Sequence, residues 1–260
     1  MMRGKQSLLW AAAAALTVGV TVLAFLPASW LGLLLEKQSG GKLALGDPQG
    51  SLWRGSAYIG AAPGKNDPLT PLLPGRFSWR LSPSILWGSI EMQLENPECM
   101  GQPLQMTGGI DAWRLGPGHL LLPADGLSAL GAPLNTVGLS GRMELRWQEL
   151  RFARQGAQLD LHGEIQMTLN EVASRMSFVK PLGDYNLRFN WQGQQAQMEL
   201  RTLKGPLLLS GQGAIQQARL QFSGKAQAED GKEEKLANLL RLLGQIRREG
   251  GKDYIALEYR

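Results

Sequence analysis

Histidine and cysteine, which supply most nucleophiles, proton carriers and metal ligands, are scarce in this chain. It has two histidines, His119 and His162, and one cysteine, Cys99, among 260 residues. His119 lies in a segment rich in glycine and proline, and His162 falls on the polar side of a predicted strand, where a solvated role is favoured. Two histidines and one cysteine at such wide spacing form no metal-ligand signature. We therefore predict no catalytic residue and no metal site.

The carboxylates and the glycine-rich stretches lead to the same prediction. Glu91, Glu95, Glu144 and Glu164 alternate with apolar residues, which places them on the polar faces of strands. The sequence contains no Gly-x-Ser-x-Gly nucleophile elbow and no glycine-rich phosphate loop. The glycines of 209–213 lie within alternating residues and are interpreted as bulges or close-packing positions. The chain is thus predicted not to be an enzyme and to bind no cofactor.

Charge and cysteine content narrow the class of protein further. The net charge is +5, and beyond the first few residues it falls to about +3 without basic clusters, so we expect no nucleic-acid partner. A single cysteine cannot form an internal disulfide bond, so the fold must be held by packing alone. Cys99 is interpreted as a buried thiol, with pairing to another chain as the alternative.

Most of the chain after the N-terminal segment is predicted to form strands. Apolar and polar residues alternate through 90–95, 139–147, 159–169 and 185–191, and in further segments up to residue 226. Strict alternation is typical of antiparallel strands with one buried face and one solvated face. The separators after residue 191 are short, which favours hairpins between neighbouring strands. We predict a mainly β fold, a curved antiparallel meander or sandwich-like domain, with the meander running over 138–227.

Three segments depart from this alternation. Residues 60–75 carry four prolines and are predicted to be a loop, and residues 116–135 are predicted to be irregular with a short helix near Leu127. Near the C-terminus the apolar residues follow the 3.6-residue period of a helix, at Leu236, Leu239, Leu240, Leu243 and Ile246. We predict an amphipathic helix over 233–248 that covers one end of the sheet, with a membrane-surface helix as the alternative. An alternating tail, 254–259, follows.

The N-terminus carries a charge-free run, 6–35, preceded by Arg3 and Lys5. A helix of about 20 apolar residues spans the hydrocarbon core of a bilayer, and 7–26 supplies that length. The positive-inside rule keeps residues 1–6 in the cytoplasm and places one β-rich domain, 36–260, in the periplasm of a bacterium, after an anchor and apolar flank over 7–35. The predicted transmembrane residues are Leu8, Leu9, Trp10, Leu16, Val18, Val20, Val22, Leu23, Phe25 and Leu26.

A cleaved signal peptide is the competing interpretation of this run. Signal peptides have a shorter apolar core followed by small residues at the cleavage site. Here the best cleavage candidate, near Ala28, puts Leu26 where a small residue is needed, and apolar residues continue to Leu35. A retained anchor is therefore favoured.

Several short motifs follow one another in a recognisable order. They are GSLWRG at 50–55, WRLSP at 79–83, LWGSI at 86–90, PLGDY at 181–185, GPLLLSG at 205–211, FSGKA at 222–226 and LRLLG at 240–244. Together they resemble the type II secretion system protein N family, an accessory inner-membrane component of the bacterial general secretory pathway. The residues that carry the resemblance best are Gly50, Ser51, Leu52, Trp53, Gly55, Pro181, Leu182, Gly183 and Tyr185.

The resemblance implies a protein without catalytic residues, located in the inner membrane with its bulk in the periplasm. It implies partnership with other type II secretion components, namely the inner-membrane platform and the secretin, in the export of folded proteins across the outer membrane. A more distant resemblance to AsmA-like envelope proteins implies a lipid-binding or lipid-transfer function as the alternative. The candidate apolar groove for a lipid comprises Tyr185, Leu187, Phe189, Trp191, Met198, Leu200, Leu207 and Leu209.

Two further expectations concern partner contact. A free sheet edge can accept a strand from a partner, and we expect that edge near 51–58 or in the tail 254–259. The motif at 50–55 is interpreted as a sheet-entry motif in which the glycines permit a turn or bulge, with a binding role as the alternative. A third functional option is a structural stabiliser of another subunit.

Overall fold

A computed structural model describes residues 2–40, 43–61, 70–71, 73–130, 137–156, 158–216, 219–249 and 252–259. The helices with described bounds are α1 Met2–Ala24, α2 Ser29–Gln38 and α3 Glu233–Leu243, with 3-10 helices at Pro83–Trp87 and Ala124–Leu130. The strands are β1 Ala44–Gly50, β2 Arg54–Ala61, β3 Thr70–Pro71, β4 Phe77–Leu81, β5 Ser89–Glu95, β6 Leu104–Gly109, β7 Ala112–Leu115, β8 Gly118–Pro123, β9 Leu139–Trp147, β10 Leu150–Gln155, β11 Gln158–Ser174, β12 Gly183–Gly193, β13 Gln195–Lys204, β14 Leu207–Gln216, β15 Arg219–Ala228, β16 Gln245–Glu249 and β17 Lys252–Tyr259. The prediction of a mainly β chain is confirmed.

All strand pairs are antiparallel, and the strands join in one sheet. From one edge to the other the order is β1, β2, β4, β5, β6, β7, β10, β11, β12, β13, β14, β15, β17 and β16. The remaining strands share rows with others, β3 with β4, β8 with β7 and β9 with β10. Among the described strands the sheet therefore has fourteen rows. The predicted meander, 138–227, is present from β10 to β15, but β9 lies in the same row as β10 and not beside it.

Two neighbouring rows each consist of two strands in line, β7 with β8 and β9 with β10. The pairing register between the two rows is the same before and after the interruption. Leu115 pairs with Leu150, and three residues further on Gly118 pairs with Trp147, so β7 and β8 continue one line opposite β10 and β9. The break lies at residues 116–117, which include Pro117, a residue without a backbone N–H for the ladder. Part of the segment predicted to be irregular, 116–135, is therefore the strand β8, although the short 3-10 helix at Leu127 is present.

The core lies along one face of the sheet. Four clusters of buried apolar residues succeed one another from β1 to α3, and neighbouring clusters share residues. Leu94 joins the first cluster to the second, Leu122 joins the second to the third, and Leu139 and Leu209 join the third to the last. The covering elements are α2 over the first rows, the 3-10 helix at Ala124–Leu130 in the middle and α3 over the last rows.

The charge-free run forms two helices with a turn between them. α1 ends at Ala24, and α2 packs against the first rows through Ala28 and Leu31. Of the residues predicted to be transmembrane, Trp10, Leu16, Val18, Val20, Val22 and Phe25 are exposed, whereas Leu23 and Leu26 are half-buried. Leu8 and Leu9 lie outside the residues whose side chains the structure describes. Within the described residues, no helix combines the length and the apolar character needed to cross a bilayer.

The C-terminal helix begins where it was predicted but is shorter. It ends at Leu243, and residues 245–248, predicted to be its last turn, lie in β16, Gln245–Glu249. Gly244 is extended, with φ of 165°, and Arg247 pairs with Tyr254 in a hairpin. The helix stops because these residues gain backbone pairing with β17. The predicted loop at 60–75 falls largely outside the described residues.

Candidate interaction surfaces

The residue types that could do chemistry do not converge. Within the described ranges, no three histidine, cysteine, aspartate or glutamate side chains lie close enough together to hold a metal ion. His119 Nε2 lies 2.5 Å from Glu144 Oε1, and Arg146 binds the same carboxylate, so this histidine belongs to a surface charge cluster. Burial, together with the neighbouring Glu98 carboxylate, raises the pKa of the Cys99 thiol above its ordinary value. A buried, protonated thiol is a poor nucleophile.

The motif at 50–55 is the turn between β1 and β2, and it binds the end of α1. Trp53 Nε1 donates a hydrogen bond to the Leu23 carbonyl over 2.8 Å, and the Leu52 amide donates to the Leu26 carbonyl over 2.7 Å. In return the Ala28 amide donates to the Gly50 carbonyl over 3.1 Å. We call these contacts the helix junction. They fix the direction in which α1 leaves the sheet.

The glycines of this motif are required by the turn. Gly50 has φ of +84°, and a Cβ there would lie 2.5 Å from the Arg54 carbonyl oxygen. A Cβ at Gly55 would lie 2.5 Å from the ring of Trp79, whose own indole N–H donates to the Leu52 carbonyl. The predicted turn is therefore present, and its contact is with the N-terminal helix. Sequence reasoning did not find that contact, since the acceptors are backbone carbonyls of distant residues.

The motif at 181–185 forms a closely packed corner at the start of β12. The Tyr185 hydroxyl donates to the Leu207 carbonyl over 3.0 Å, while Leu207 N–H donates to the carbonyl of buried Leu182 over 3.0 Å. The backbones of Gly183 and Gly205 are in contact, because a Cβ at Gly205 would lie 2.3 Å from the Gly183 Cα. This motif therefore holds β12 against β14, and its first residue, Pro181, is exposed.

The predicted groove residues share one face of the sheet but are covered to different degrees. Leu187 pairs with Leu200, and Phe189 pairs with Met198. Tyr185, Leu187, Leu200 and Leu209 pack in the cluster under the 3-10 helix at Ala124–Leu130, and Leu207 packs against Leu236 and Leu239 of α3. Five of the eight predicted groove residues thus pack in the core, and Met198 is buried as well. Phe189 and Trp191, towards the C-terminal end of β12, are half-buried.

A second set of aromatic residues continues this half-buried region. The rings of Trp113 and Phe152 are stacked with centroids 5.6 Å apart, and Phe152 pairs with Leu161 of β11. Trp113, Phe152, Leu161, Phe189 and Trp191 define what we call the open apolar patch. Sequence reasoning missed Trp113 and Phe152 because their strands are too short to show a convincing alternation.

The two edges of the sheet differ in part from the predicted ones. Residues 54–58 lie in β2, between β1 and β4, so the prediction of an edge at 51–58 is wrong. The tail forms β17: Ile255 and Ala256 lie between β15 and β16, whereas residues 257–259 pair with β15 alone among the described strands, so the predicted tail edge is present only there. The described edges are β1 on one side and, on the other, β16 with the end of β17. β1 is irregular, because Asp47 has φ of 47° and the register shifts between Gly46 and Gln49, whereas β16 pairs regularly over its whole length.

Comparison with protein families decides the class of this protein. The model of the family "Type II secretion system (T2SS), protein N" matches residues 41–253. The chain belongs to the type II secretion system protein N family. Neither the curated proteins nor the solved structures contain a match. The comparisons give no support to the AsmA-like resemblance.

The protein N match covers the sheet. It extends from just before β1 into β17 and leaves α1 and α2 outside. Both motifs described above lie within it, one at the helix junction and one at the corner beneath α3. Membership in the protein N family, an accessory component of the system, indicates involvement in type II secretion.

Proposed function

We propose that this protein is a non-catalytic accessory component of the type II secretion system, anchored in the bacterial inner membrane by its N-terminal segment. Its sheet lies in the periplasm, where it supports the export of folded proteins across the outer membrane. Its partners are other secretion components, the inner-membrane platform and the secretin. Family membership supports the secretion part of this proposal.

Anchoring is supported by the charge and exposure of the N-terminal segment. Arg3 and Lys5 precede a run that has no charged residue until Glu36, and cations of this kind stay on the cytoplasmic side. The described side chains of α1, such as Val20 and Val22, are exposed to their surroundings, as lipid-facing residues are. The helix junction then couples the anchor to the first hairpin.

Partner contact is supported by the difference between the two sheet edges. An edge strand presents unpaired N–H and C=O groups, to which a partner strand can add. The irregular β1, which contains Pro48, is a poor template, whereas β16 is regular and pairs with β17 alone among the described strands. The observation that carries the proposal is this single regular edge, thirteen rows away from the helix junction.

Photocrosslinking in intact cells tests this contact. A photoreactive amino acid replaces Arg247, an exposed residue of β16, or Gln212, an exposed residue of β14 in the sheet interior, as the matched control. We expect position 247 to crosslink to a platform subunit or to the secretin and position 212 to give no such product. Equal yields from both positions, or none from 247, would contradict strand addition at β16.

The open apolar patch supports a second candidate function, lipid binding in the envelope. Five large apolar side chains are half-buried there, although a core of this size normally buries such residues. Native mass spectrometry of the full chain from detergent should then detect bound phospholipid, and Phe152→Asp should remove it. Phe178→Asp, at a fully exposed position outside the patch, is the control. A chain that carries no lipid would exclude this function.

A further inference from the structure

Exposed apolar side chains cluster at the end of the sheet from which α1 leaves. The 3-10 helix between β4 and β5 presents Trp87, 80 % exposed, and Leu86, 49 % exposed. The β6–β7 turn presents Ile110, 52 % exposed. Most isolated apolar residues on a surface need no explanation, but these belong to adjacent turns. We call them, with Trp30 at the start of α2, the junction-end residues.

Strand pairing places these turns beside the helix junction. The Leu81 amide, at the end of β4, donates to the Trp53 carbonyl over 2.8 Å, and the 3-10 helix follows two residues later. Ser89 pairs with Gly109, so the turn with Ile110 lies next to the start of β5. Rows of a sheet are about 4.8 Å apart, which puts Trp87 and Ile110 on the order of 10–15 Å from Trp53 across the sheet.

The turn that carries Trp87 is held firmly in place. The Ser82 hydroxyl accepts from the Ser84 amide over 3.3 Å, and the Ser84 hydroxyl donates to the Ser89 carbonyl over 3.0 Å. The turn closes at Gly88 with φ of 83°, a conformation that suits glycine. Trp87 is thus presented outward by a structured turn. Its exposure is a property of the fold at this position.

Trp30 extends the same surface to α2. The Ala28 amide bonds to the Gly50 carbonyl, so α2 begins at the junction end, and Trp30 in its first turn is exposed. α1 leaves from the same place through Phe25, also exposed. Indole rings with an apolar body and one N–H donor favour the headgroup region of a bilayer.

We propose that the junction-end residues form a second membrane contact, with Trp30, Leu86, Trp87 and Ile110 inserted in the interfacial layer of the same bilayer that holds α1. This proposal rests on the anchoring proposed above and specifies how the sheet meets the membrane. The occupant is lipid because α1, the proposed anchor, leaves the sheet at this same end, where its Leu23 carbonyl accepts the hydrogen bond from Trp53. The sheet is then supported at two points and cannot swing freely about the anchor.

The twist of the sheet limits the contact to its first rows. Leu159, 47 % exposed, lies at the same end of the strands but six rows from β2. A twist of roughly 20° per row turns its strand end well away from the direction of α1. Leu159 is therefore a matched control for Ile110 in both exposure and strand end.

Fluorophore quenching in vesicles tests the proposal with the full chain. In a Cys99→Ala background, single cysteines at Trp87, Ile110 or Leu159 are labelled, and the chain is reconstituted into vesicles of phosphatidylethanolamine and phosphatidylglycerol that carry a headgroup nitroxide quencher. We expect quenching at positions 87 and 110 to exceed that at 159 by about threefold, as for side chains at the interface. Flotation of the same vesicles reports anchoring separately.

The outcomes distinguish the two proposals. Flotation with equal quenching at all three positions would overturn the second contact and leave the anchor intact. A chain that does not float with the vesicles would overturn both. Shielding of position 87 in cells without quenching in vesicles would assign this surface to a protein partner and would also reject the proposal.

Discussion

The indole Nε1 of Trp53 donates a hydrogen bond to the carbonyl oxygen of Leu23, thirty residues earlier in the chain, over 2.8 Å. Leu23 lies in the last turn of α1, where carbonyl groups have no partner within the helix. The bond therefore satisfies an acceptor that the helix cannot satisfy itself, and it joins the N-terminal helix to the first hairpin of the sheet.

We expect Trp53→Phe to loosen this connection while keeping most of the ring packing. Loss of one hydrogen bond should lower the free energy of unfolding by about 1 kcal/mol. It should also broaden the distance distribution between spin labels on α1 and on β2, measured by pulsed electron resonance. Trp10→Phe, at an exposed position of α1, should change neither quantity. An unchanged distance distribution in Trp53→Phe would show that the helix is held by other contacts.

Tyr185 should make stability depend on pH in the alkaline range. Burial, with a smaller contribution from the Asp184 carboxylate, raises the pKa of Tyr185 well above its ordinary value of 10.0. Above pH 10 the unfolded chain therefore loses this proton while the folded chain keeps it. Because the unfolded state then binds fewer protons, the stability present below pH 10 is lost as the pH rises.

The variant Tyr185→Phe separates this effect from other titrations. At neutral pH it should cost about 1.5 kcal/mol, since the buried Leu207 carbonyl loses its donor. Between pH 9 and pH 11 its urea midpoint should fall less steeply than that of the unsubstituted chain. Parallel curves for the two proteins would contradict the assignment.

Gly205 should tolerate no side chain. It has φ of +121°, and a Cβ would meet the Gly183 Cα at 2.3 Å and the Leu182 carbonyl oxygen at 2.7 Å. Backbone atoms cannot move aside as a flexible side chain can, so Gly205→Ala should destabilise by about 3 kcal/mol or more. Gly101→Ala, where a Cβ would meet open space, should remain within about 0.5 kcal/mol of the unsubstituted chain in urea unfolding.

Leu236 should be the principal contact between α3 and the sheet. Its side chain is fully buried with Leu182 and Leu207, whereas Leu242 on the same helix is half exposed. Leu236→Ala should cost about 3 kcal/mol through lost burial and a residual cavity, and Leu242→Ala less than about 0.5 kcal/mol. Similar losses in both variants would mean that α3 packs in a different rotation.

Cys99 should resist alkylation while the chain is folded. Its side chain is buried beside Phe77 and Leu104, and burial raises the pKa of the thiol, so little thiolate is present at neutral pH. We expect maleimide to react slowly in buffer and fast in urea, as followed by mass shift. Fast labelling of the folded chain, or a disulfide-linked dimer, would contradict the interpretation of Cys99 as a packing residue.

The strands were predictable where the relevant information is local. Alternation along 159–169 and 185–191 gives the face of each residue directly, and tight separators give the neighbour, so β11 to β15 follow from sequence. The rows that contain two strands could not be predicted from the sequence, because they depend on pairs such as Leu115 with Leu150, which are distant in the chain. The end of α3 was mispredicted because an apolar residue at 246 fits either period, and pairing with β17 decides between them.

The functional surfaces were less predictable than the strands. Predicted groove residues such as Tyr185 and Leu207 are core, because α3 and a 3-10 helix cover them, and sequence periodicity does not say where a helix will pack. The role of Trp53 depends on a backbone acceptor that no side-chain pattern encodes.

Because the rows follow one another in a single series, the number of rows sets the length of the sheet. Each row is hydrogen-bonded to the rows beside it, so fourteen rows give the sheet a length of roughly 60 Å when measured along the sheet from β1 to β16. Inserting or deleting one hairpin would change that span by about 10 Å while leaving the junction and the far edge intact. The length of the sheet between the helix junction and β16 can therefore be changed, by evolution or by design, without altering the helix junction or β16.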